Sequence, residues 1–431
     1  MRVRTDHWHL PTRPLLSSLL GVLLVTALAP RPVAGQATPS VSGASAQDPA
    51  ALVRRIEQLE AQVHALTERL GGSLGGSTLP PVQSASGPAP AKDERGAEDE
   101  VQAALHEHEG ADGPRMQVRG YADLVYRRGA ASAERGFGLG QADAFVTSRL
   151  SDRVNVLAEA VFEGSEANEL AIDLERILLQ FAPSDRLHLS VGRYHTAIGF
   201  YNTAYHHGAW FQTATSRPRM FAFEDDGGIL PIHNLGISAT GQLASGPLGL
   251  RYVAEVGNGR AATPGAAPVQ NVTDENRGVA VNLGLLARPD WLPGLQAGVS
   301  VYRDRLTPGG SRIGETIVAA HAVYQASRLE LLNEFLTLRH GVAGAPVRVS
   351  TGFYSQAGVR VGRYSPYARI DYLHVNALDP LYGAMGRDTG LAAGLRYDVG
   401  SWAAIKGQGE RWSRRTGDPA YGFGMQLAFA F

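Results

Sequence analysis

Four histidines gather in or beside one stretch of the chain. His195, His206 and His207 lie within HTAIGFYNTAYHHGAWFQTATSRPRMFAFEDDGGILP (residues 195–231), and His233 follows it. Imidazole nitrogens are standard zinc ligands, so His206-His207 with His195 or His233 is one metal chemistry open to this sequence. The same stretch sets Arg217 and Arg219 against Glu224, Asp225 and Asp226. Mixed charges on one long segment suit ions passing by rather than bond making. A second tract, His106-Glu107-His108-Glu109, stands among acidic residues and reads as solvated. The chain has no cysteine, which removes disulfides, thiolate metal sites and cysteine nucleophiles. Hydrolysis by a serine would need Ser, His and an orienting group at one place. Residue alternation sets His188 and His374 on the polar face of their segments, which the strand pattern below turns toward a lumen, and His321 near the opposite, outer face, with no fixed Ser neighbour. Neither an enzyme nor a resident cofactor is expected.

What positions these residues is a repeated strand pattern from Arg115 onward. In Val154–Phe162 the residues Val154, Val156, Ala158, Ala160 and Phe162 alternate with Asn155 and Glu159. The segment Tyr421–Phe431 sets Tyr421, Phe423, Met425, Leu427, Phe429 and Phe431 on one face against small residues and Gln426. Period-two alternation marks strands with one apolar and one polar face. Sixteen such strands start near 115, 138, 153, 171, 185, 232, 247, 277, 293, 313, 327, 349, 363, 388, 399 and 421. Their connections alternate between short turns (Ser151-Asp152, Ser184-Asp185, Ser245-Gly246, Ala326-Ser327, Gly400-Ser401) and longer loops, of which 195–231 is by far the longest. Even strand number, short turns on one side and long loops on the other define an all-β, sixteen-stranded antiparallel transmembrane barrel. Arg and Glu inside strands then face a watery lumen. Aromatics near strand ends (Tyr121, Tyr126, Tyr194, Trp291, Tyr302 and Trp402 among them) are expected to form interfacial girdles.

Strand parity assigns Arg119, Arg176, Arg251, Arg360, Arg369, Arg396 and Lys406 to the lumen. The same parity assigns Asp123, Glu159, Glu163, Glu255, Glu330, Glu334, Asp371, Asp398 and Glu410 there. Arg193 stands where the long loop begins. With Arg217, Arg219, Glu224, Asp225 and Asp226 these cations are the candidate constriction residues. A loop carboxylate facing a wall arginine cluster would give a transverse field; the alternative is that each arginine holds the loop down. Residues 115–431 carry 31 basic and 28 acidic groups, by subtracting 9 and 13 in residues 1–114 from the totals of 40 and 41. That balance leans weakly toward anions and excludes a nucleic-acid binder.

Ahead of the barrel, Arg2, Arg4 and Arg13 precede the apolar run Leu15–Ala29, which Pro30 stops. This predicts a signal peptide over 1–37, cleaved after Ala34 or Ala37. Over 50–70, Leu52, Ile56, Leu59, Val63, Leu66 and Leu70 recur at spacings of 4, 3, 4, 3 and 4. That is the a/d seam of a coiled coil, predicting an oligomer. Residues 71–114 are Gly, Ser, Pro and Ala, then Asp and Glu, a flexible acidic linker. The coil could also tether the barrel to envelope partners.

The coil, the linker, sixteen strands, Val191-Gly192-Arg193-Tyr194 leading into Ile198-Gly199-Phe200, and a terminal Phe431 together resemble the phosphate-selective porin O/P family. The resemblance implies homotrimers in a Gram-negative outer membrane, with the coil in the periplasm. It also implies diffusion of small solutes or inorganic anions past a third-loop constriction. Phe431 resembles the C-terminal signal read by the barrel assembly machinery. One departure stands out: the family's constriction lysines have few counterparts, since the chain contains only Lys92 and Lys406.

Overall fold

The computed structural model describes residues 115–431, apart from 130–135, 165–168, 207, 209, 225–226, 261–272, 275–277 and 415–417. The signal peptide, the coiled-coil seam, the linker with its His106–Glu109 tract, His207, Asp225 and Asp226 lie outside the described residues.

Alternating sequence becomes alternating wall. The strands are β1 (Arg115–Gly129), β2 (Gly136–Ser151), β3 (Val154–Gly164), β4 (Leu170–Ser184), β5 (Leu187–His195) and β6 (His233–Gln242). After these come β7 (Leu250–Gly257), β8 (Ala280–Ala287), β9 (Leu295–Leu306), β10 (Ile313–Gln325) and β11 (Leu329–Val342). The last five are β12 (Arg348–Val359), β13 (Tyr364–His374), β14 (Arg387–Asp398), β15 (Ala403–Arg414) and β16 (Ala420–Ala430). Each pairs antiparallel with its sequence neighbours, and β16 returns to β1 through Tyr121↔Ala430 to Gly129↔Gly422. Closure gives every strand two partners and leaves no sheet edge. The widest departure from the expected starts is at β15, which begins at Ala403 rather than 399.

The two faces differ as membrane and lumen must. On β16, Phe423, Met425 and Leu427 project outward and are exposed, whereas the alternate residues Gln426 and Ala428 are buried inside. On β10, Glu315, Ile317, Ala319, His321 and Val323 are buried inward. The outward belt of exposed Leu, Ile, Val and Phe runs around the whole cylinder, from Ile177 and Leu179 to Ile370 and Leu391. An apolar surface of that extent needs lipid or another apolar partner.

Several faces differ from the expected ones. His321 is on the inner face beside Gln296 (3.1 Å), while His374 shares the outward parity of Ile370 and is exposed. Tyr121, Tyr194 and Tyr302 are lumenal rather than interfacial: Tyr302 is fully buried, and Tyr121 packs edge-on to Phe211. Trp291 and Trp402 do stand exposed at the short-turn end, joined there by Tyr364. Arg360 corrects the lumenal set. It follows the end of β12 in a turn, exposed, with its backbone N–H on the Arg328 carbonyl. Parity has no meaning past the last ladder residue, so Arg360 is not part of the lumen wall.

Candidate functional site: the loop inside the barrel

The long connection between β5 and β6 starts on a ribbon of its own. Pairing of β4 with β5 stops at Ile177↔Arg193, and β6 meets β7 only from Gly236↔Gly257. Yet β5 and β6 remain paired to His195↔His233. Gly192, at φ 136°, precedes this ribbon, and a side chain there would strike the Ile177 carbonyl. Alternation then fails: Arg193, Tyr194 and His195 are buried in succession. Arg193 donates from Nε to the Glu175 carbonyl at 3.0 Å.

From this root the loop crosses the lumen, touching one wall strand after another. The Ala197 N–H donates to Glu255 (3.1 Å), and Asn282 donates back to the Ala197 carbonyl (3.0 Å). Gly199, at φ 75°, turns the chain beside the Glu334 carboxylate, where a Cβ would collide. Glu334 then accepts the N–H groups of Phe200 (2.6 Å) and Tyr201 (2.9 Å) at the start of α1 (Tyr201–Ala204), and the Tyr354 hydroxyl (2.8 Å). Farther on, Arg396 donates to the Trp210 and Gln212 carbonyls, and Lys406 to that of Ala214 (3.4 Å). Arg369 donates to the carbonyls of Ser216 (2.6 Å) and Arg217 (3.2 Å) and to Asp371 (2.8 Å). Arg219 closes the circuit on Asp388 (Nε, 3.1 Å) and Asp371 (N–H, 3.0 Å).

These contacts span the height of the barrel. Tyr205 accepts from Gln325, the last residue of β10 beside a short turn, whereas Asp388 is the second residue of β14 at the opposite end. Asp388 and Arg396 are eight residue steps apart on one strand, about 26 Å at the usual rise. The loop also carries an apolar underside. Ile198, Phe200, Tyr201, Met220, Phe221, Ile229 and Leu230 pack on the inner faces of β9 to β13, against Ile317, Val323, Leu332, Leu336, Tyr354 and Leu373. Fully burying an aliphatic side chain contributes about 1.5–3 kcal/mol, so a small core of its own anchors the loop to the inner face of β9 to β13.

Charge on the wall is largely neutralised locally. Arg176 pairs with Glu159, Arg369 with Asp371 and Arg396 with Asp398 (2.8 Å). Arg217 holds the loop together from within: it donates to the carbonyls of Phe221 (2.8 Å) and His206 and lies 3.7 Å over the Phe223 ring. Buried carbonyls of an irregular segment require donors, and the basic residues supply them. Arg119 and Arg251 keep inward parity toward the short-turn end, Arg119 exposed to lumenal water and Arg251 partly so.

Two positions emerge that parity alone does not reveal. The β3–β4 register passes from Glu159↔Arg176 to Ala160↔Leu174, leaving Glu175 as the extra residue of a bulge. Glu175 and Arg176 are therefore buried together. Consecutive charges in an otherwise alternating strand are the sequence sign of such a bulge. The second is Arg260, in the loop after β7, which donates to the Ile229 carbonyl (2.9 Å) and pairs with Glu315. Burial pulls its pKa down, but the Glu315 carboxylate outweighs this and raises it, so the guanidinium stays charged. Near it, Asp379 is pushed up by burial but held below the usual carboxyl range by hydrogen bonds from His340 (2.8 Å), Tyr382 and Leu381.

No family model and no curated protein matches this sequence. Solved structures do match in fold. The anion-selective porin from Comamonas acidovorans is 14% identical, covering 74% of this chain and 100% of its own, with TM-score 0.53. A loop-L8 deletion mutant of OmpT, an outer membrane protein of Vibrio cholerae, is 13% identical over 74% and 100%, with TM-score 0.52. The outer membrane channel DcaP of Acinetobacter baumannii is 10% identical over 75% and 99%, with TM-score 0.50. At such identities the likeness is one of fold.

Proposed function

We propose that the protein is an outer-membrane porin through which small hydrophilic solutes and ions diffuse passively, narrowed by the loop 195–231. The observation that carries this reading is a closed sixteen-strand wall, apolar outside and polar within, holding a long loop in its lumen. Barrels of sixteen to eighteen strands are wide enough to leave an aqueous channel once side chains are placed. The matched folds of an anion-selective porin and an outer membrane channel support the same reading.

Selectivity is weak on this reading. Most lumenal cations are paired with a carboxylate or spent on loop carbonyls, so little unbalanced field remains to sort ions. A slight anion preference follows from Arg119, Arg251 and the small basic excess of residues 115–431. Phosphate specificity is not part of the proposal, because Lys406 is the single lysine of the barrel and donates to the Ala214 carbonyl. The heptad seam Leu52–Leu70 supports a homo-oligomer with its coil in the periplasm; its β-branched a positions favour two strands, and the trimer rests on the resemblance to the porin O/P family. Catalysis forms no part of this function.

Swelling of liposomes containing the folded protein tests it. Uptake should fall steeply with sugar size, and wild-type liposomes should exclude sugars that a variant lacking residues 205–228 admits. Equal size cut-offs for the two would remove the loop from the role of constriction, and no uptake by either would remove the channel.

A further inference from the structure

We propose that Glu175, His195, His206 and His233 bind one divalent transition-metal ion, zinc by the chemistry of the donors, which fastens the long loop to the barrel wall. One carboxylate oxygen of Glu175 and one ring nitrogen of each histidine all lie within 4.8 Å of one another, and all four residues are buried. They come from four places: the β4 bulge, the ends of β5 and β6, and the turn after α1. No two are near neighbours in sequence, so the fold alone brings them together.

The hydrogen bonding here is in conflict without a shared cation. His206 Nε2 and His233 Nε2 are 2.9 Å apart, and both turn to the same oxygen, Glu175 Oε2, at 3.4 Å for His206 and closer for His233. A nitrogen that donates its proton to the carboxylate has no lone pair left for the other ring. A metal ion accepts lone pairs from both nitrogens and the carboxylate at once. His195 strengthens the case. It is 6% exposed, neither ring nitrogen has a hydrogen-bond partner, and its Nε2 comes no nearer than 3.8 Å to Glu159; its ring, stacked on that of His206 with centroids 3.4 Å apart, would turn off that stack to point a nitrogen at the shared ion. Buried polar groups are normally paired, and a metal would supply the missing partner for one of those nitrogens.

Three imidazoles and a carboxylate are a zinc-type donor set. Ligand atoms of a tetrahedral zinc stand about 3.3 Å from each other, so on binding the widest separation, within 4.8 Å, contracts by up to about 1.5 Å while the His206–His233 and His233–Glu175 pairs open. Four protein ligands leave no open position, which assigns the ion a structural rather than a catalytic part. Nearby cations are engaged elsewhere: Arg176 with Glu159, Arg193 with the Glu175 carbonyl and Arg217 with loop carbonyls. The ion would tie His206, within the loop, to three wall strands at the loop's root. The site does not depend on whether the barrel conducts.

The test uses untagged full-length protein, folded in detergent, stripped with a chelator and titrated with Co2+ as a spectroscopic probe, then with Zn2+. The expected result is one Co2+ per chain with the visible bands of four-coordinate cobalt, displaced by Zn2+. Those bands should vanish in His206→Ala, a loop substitution that leaves strand content by circular dichroism intact. They should persist in His374→Ala on the outer wall, and Glu175→Gln should weaken binding at least about tenfold. Trypsin should cut after Arg219 faster in the stripped protein. A folded barrel that takes up no stoichiometric Co2+ would overturn the proposal. So would equal uptake by wild type and His206→Ala, which would place the ion elsewhere, for instance on His106 and His108.

Discussion

Arg369 is 1% exposed, yet it faces what would be water in an empty barrel. Four hydrogen bonds run from its guanidinium to Asp371, the Ser216 carbonyl and hydroxyl, and the Arg217 carbonyl, so it holds the loop largely by the backbone. Replacing it with alanine leaves Asp371 and two loop carbonyls without that donor. Breaking a buried pair costs about 3–5 kcal/mol; the low end is expected for Arg369→Ala, since the Arg219 N–H still serves Asp371. Denaturant unfolding in detergent measures this, and a change under 1 kcal/mol would mean that the contact contributes little. At Asp379 the expectation concerns pH. Its folded carboxyl pKa is below the unfolded value, so its contribution is present above the ordinary value of 3.8 and lost as pH falls through the lower folded one. Asp379→Asn should therefore lower stability at neutral pH and flatten the acid limb. An unchanged acid limb would show the contacts are not maintained in solution. Alternation made the inward positions of Arg176, Arg369, Arg396 and Glu334 legible from sequence. It failed at Arg360, beyond a ladder, and at Glu175, on a bulge, because both are places where period two is interrupted.

Among elements, the loop 195–231 is conspicuous in the sequence by length and composition, whereas its path is not. That path depends on residues far away in sequence: Glu255, Glu334, Arg369, Arg396 and Asp388 each meet it across more than fifty positions. Glu334 shows how the wall shapes the loop. Replacing it with leucine would strand two buried N–H groups and the Tyr354 hydroxyl, at a cost of about 1–3 kcal/mol each. The loop's first turn should then loosen, and trypsin should reach Arg219 while the barrel stays intact. Arg217 precedes Pro218 and resists cleavage, so a single new cut is expected. Resistance equal to wild type would show that the apolar underside alone holds the loop. Strand boundaries were more readable than this, since Gly, Ser, Asp and Pro at the turns stop each alternating run. Even so β15 starts later than expected, because Gly400 and Ser401 extend the turn to Trp402.

At the scale of the whole molecule, closure decides the fold and the lumen's content decides the behaviour. Sixteen amphipathic strands cannot bury both faces in water, and the outward apolar belt with an inward polar wall fits a bilayer. The coil adds a separate expectation: deleting Ala51–Leu70 should reduce trimers on native gels while conductance per pore is unchanged. Intact trimers would move the coil from assembly to tethering. Diffusion requires that the barrel stay open past its loop. Single-channel recording of purified, refolded protein in a planar bilayer, with the reversal potential under a salt gradient, tests it most directly. An open, weakly selective trimer gives discrete steps in threes and a small reversal potential of the sign for anions. Stable insertion with no steps would contradict it, showing that the loop seals the lumen.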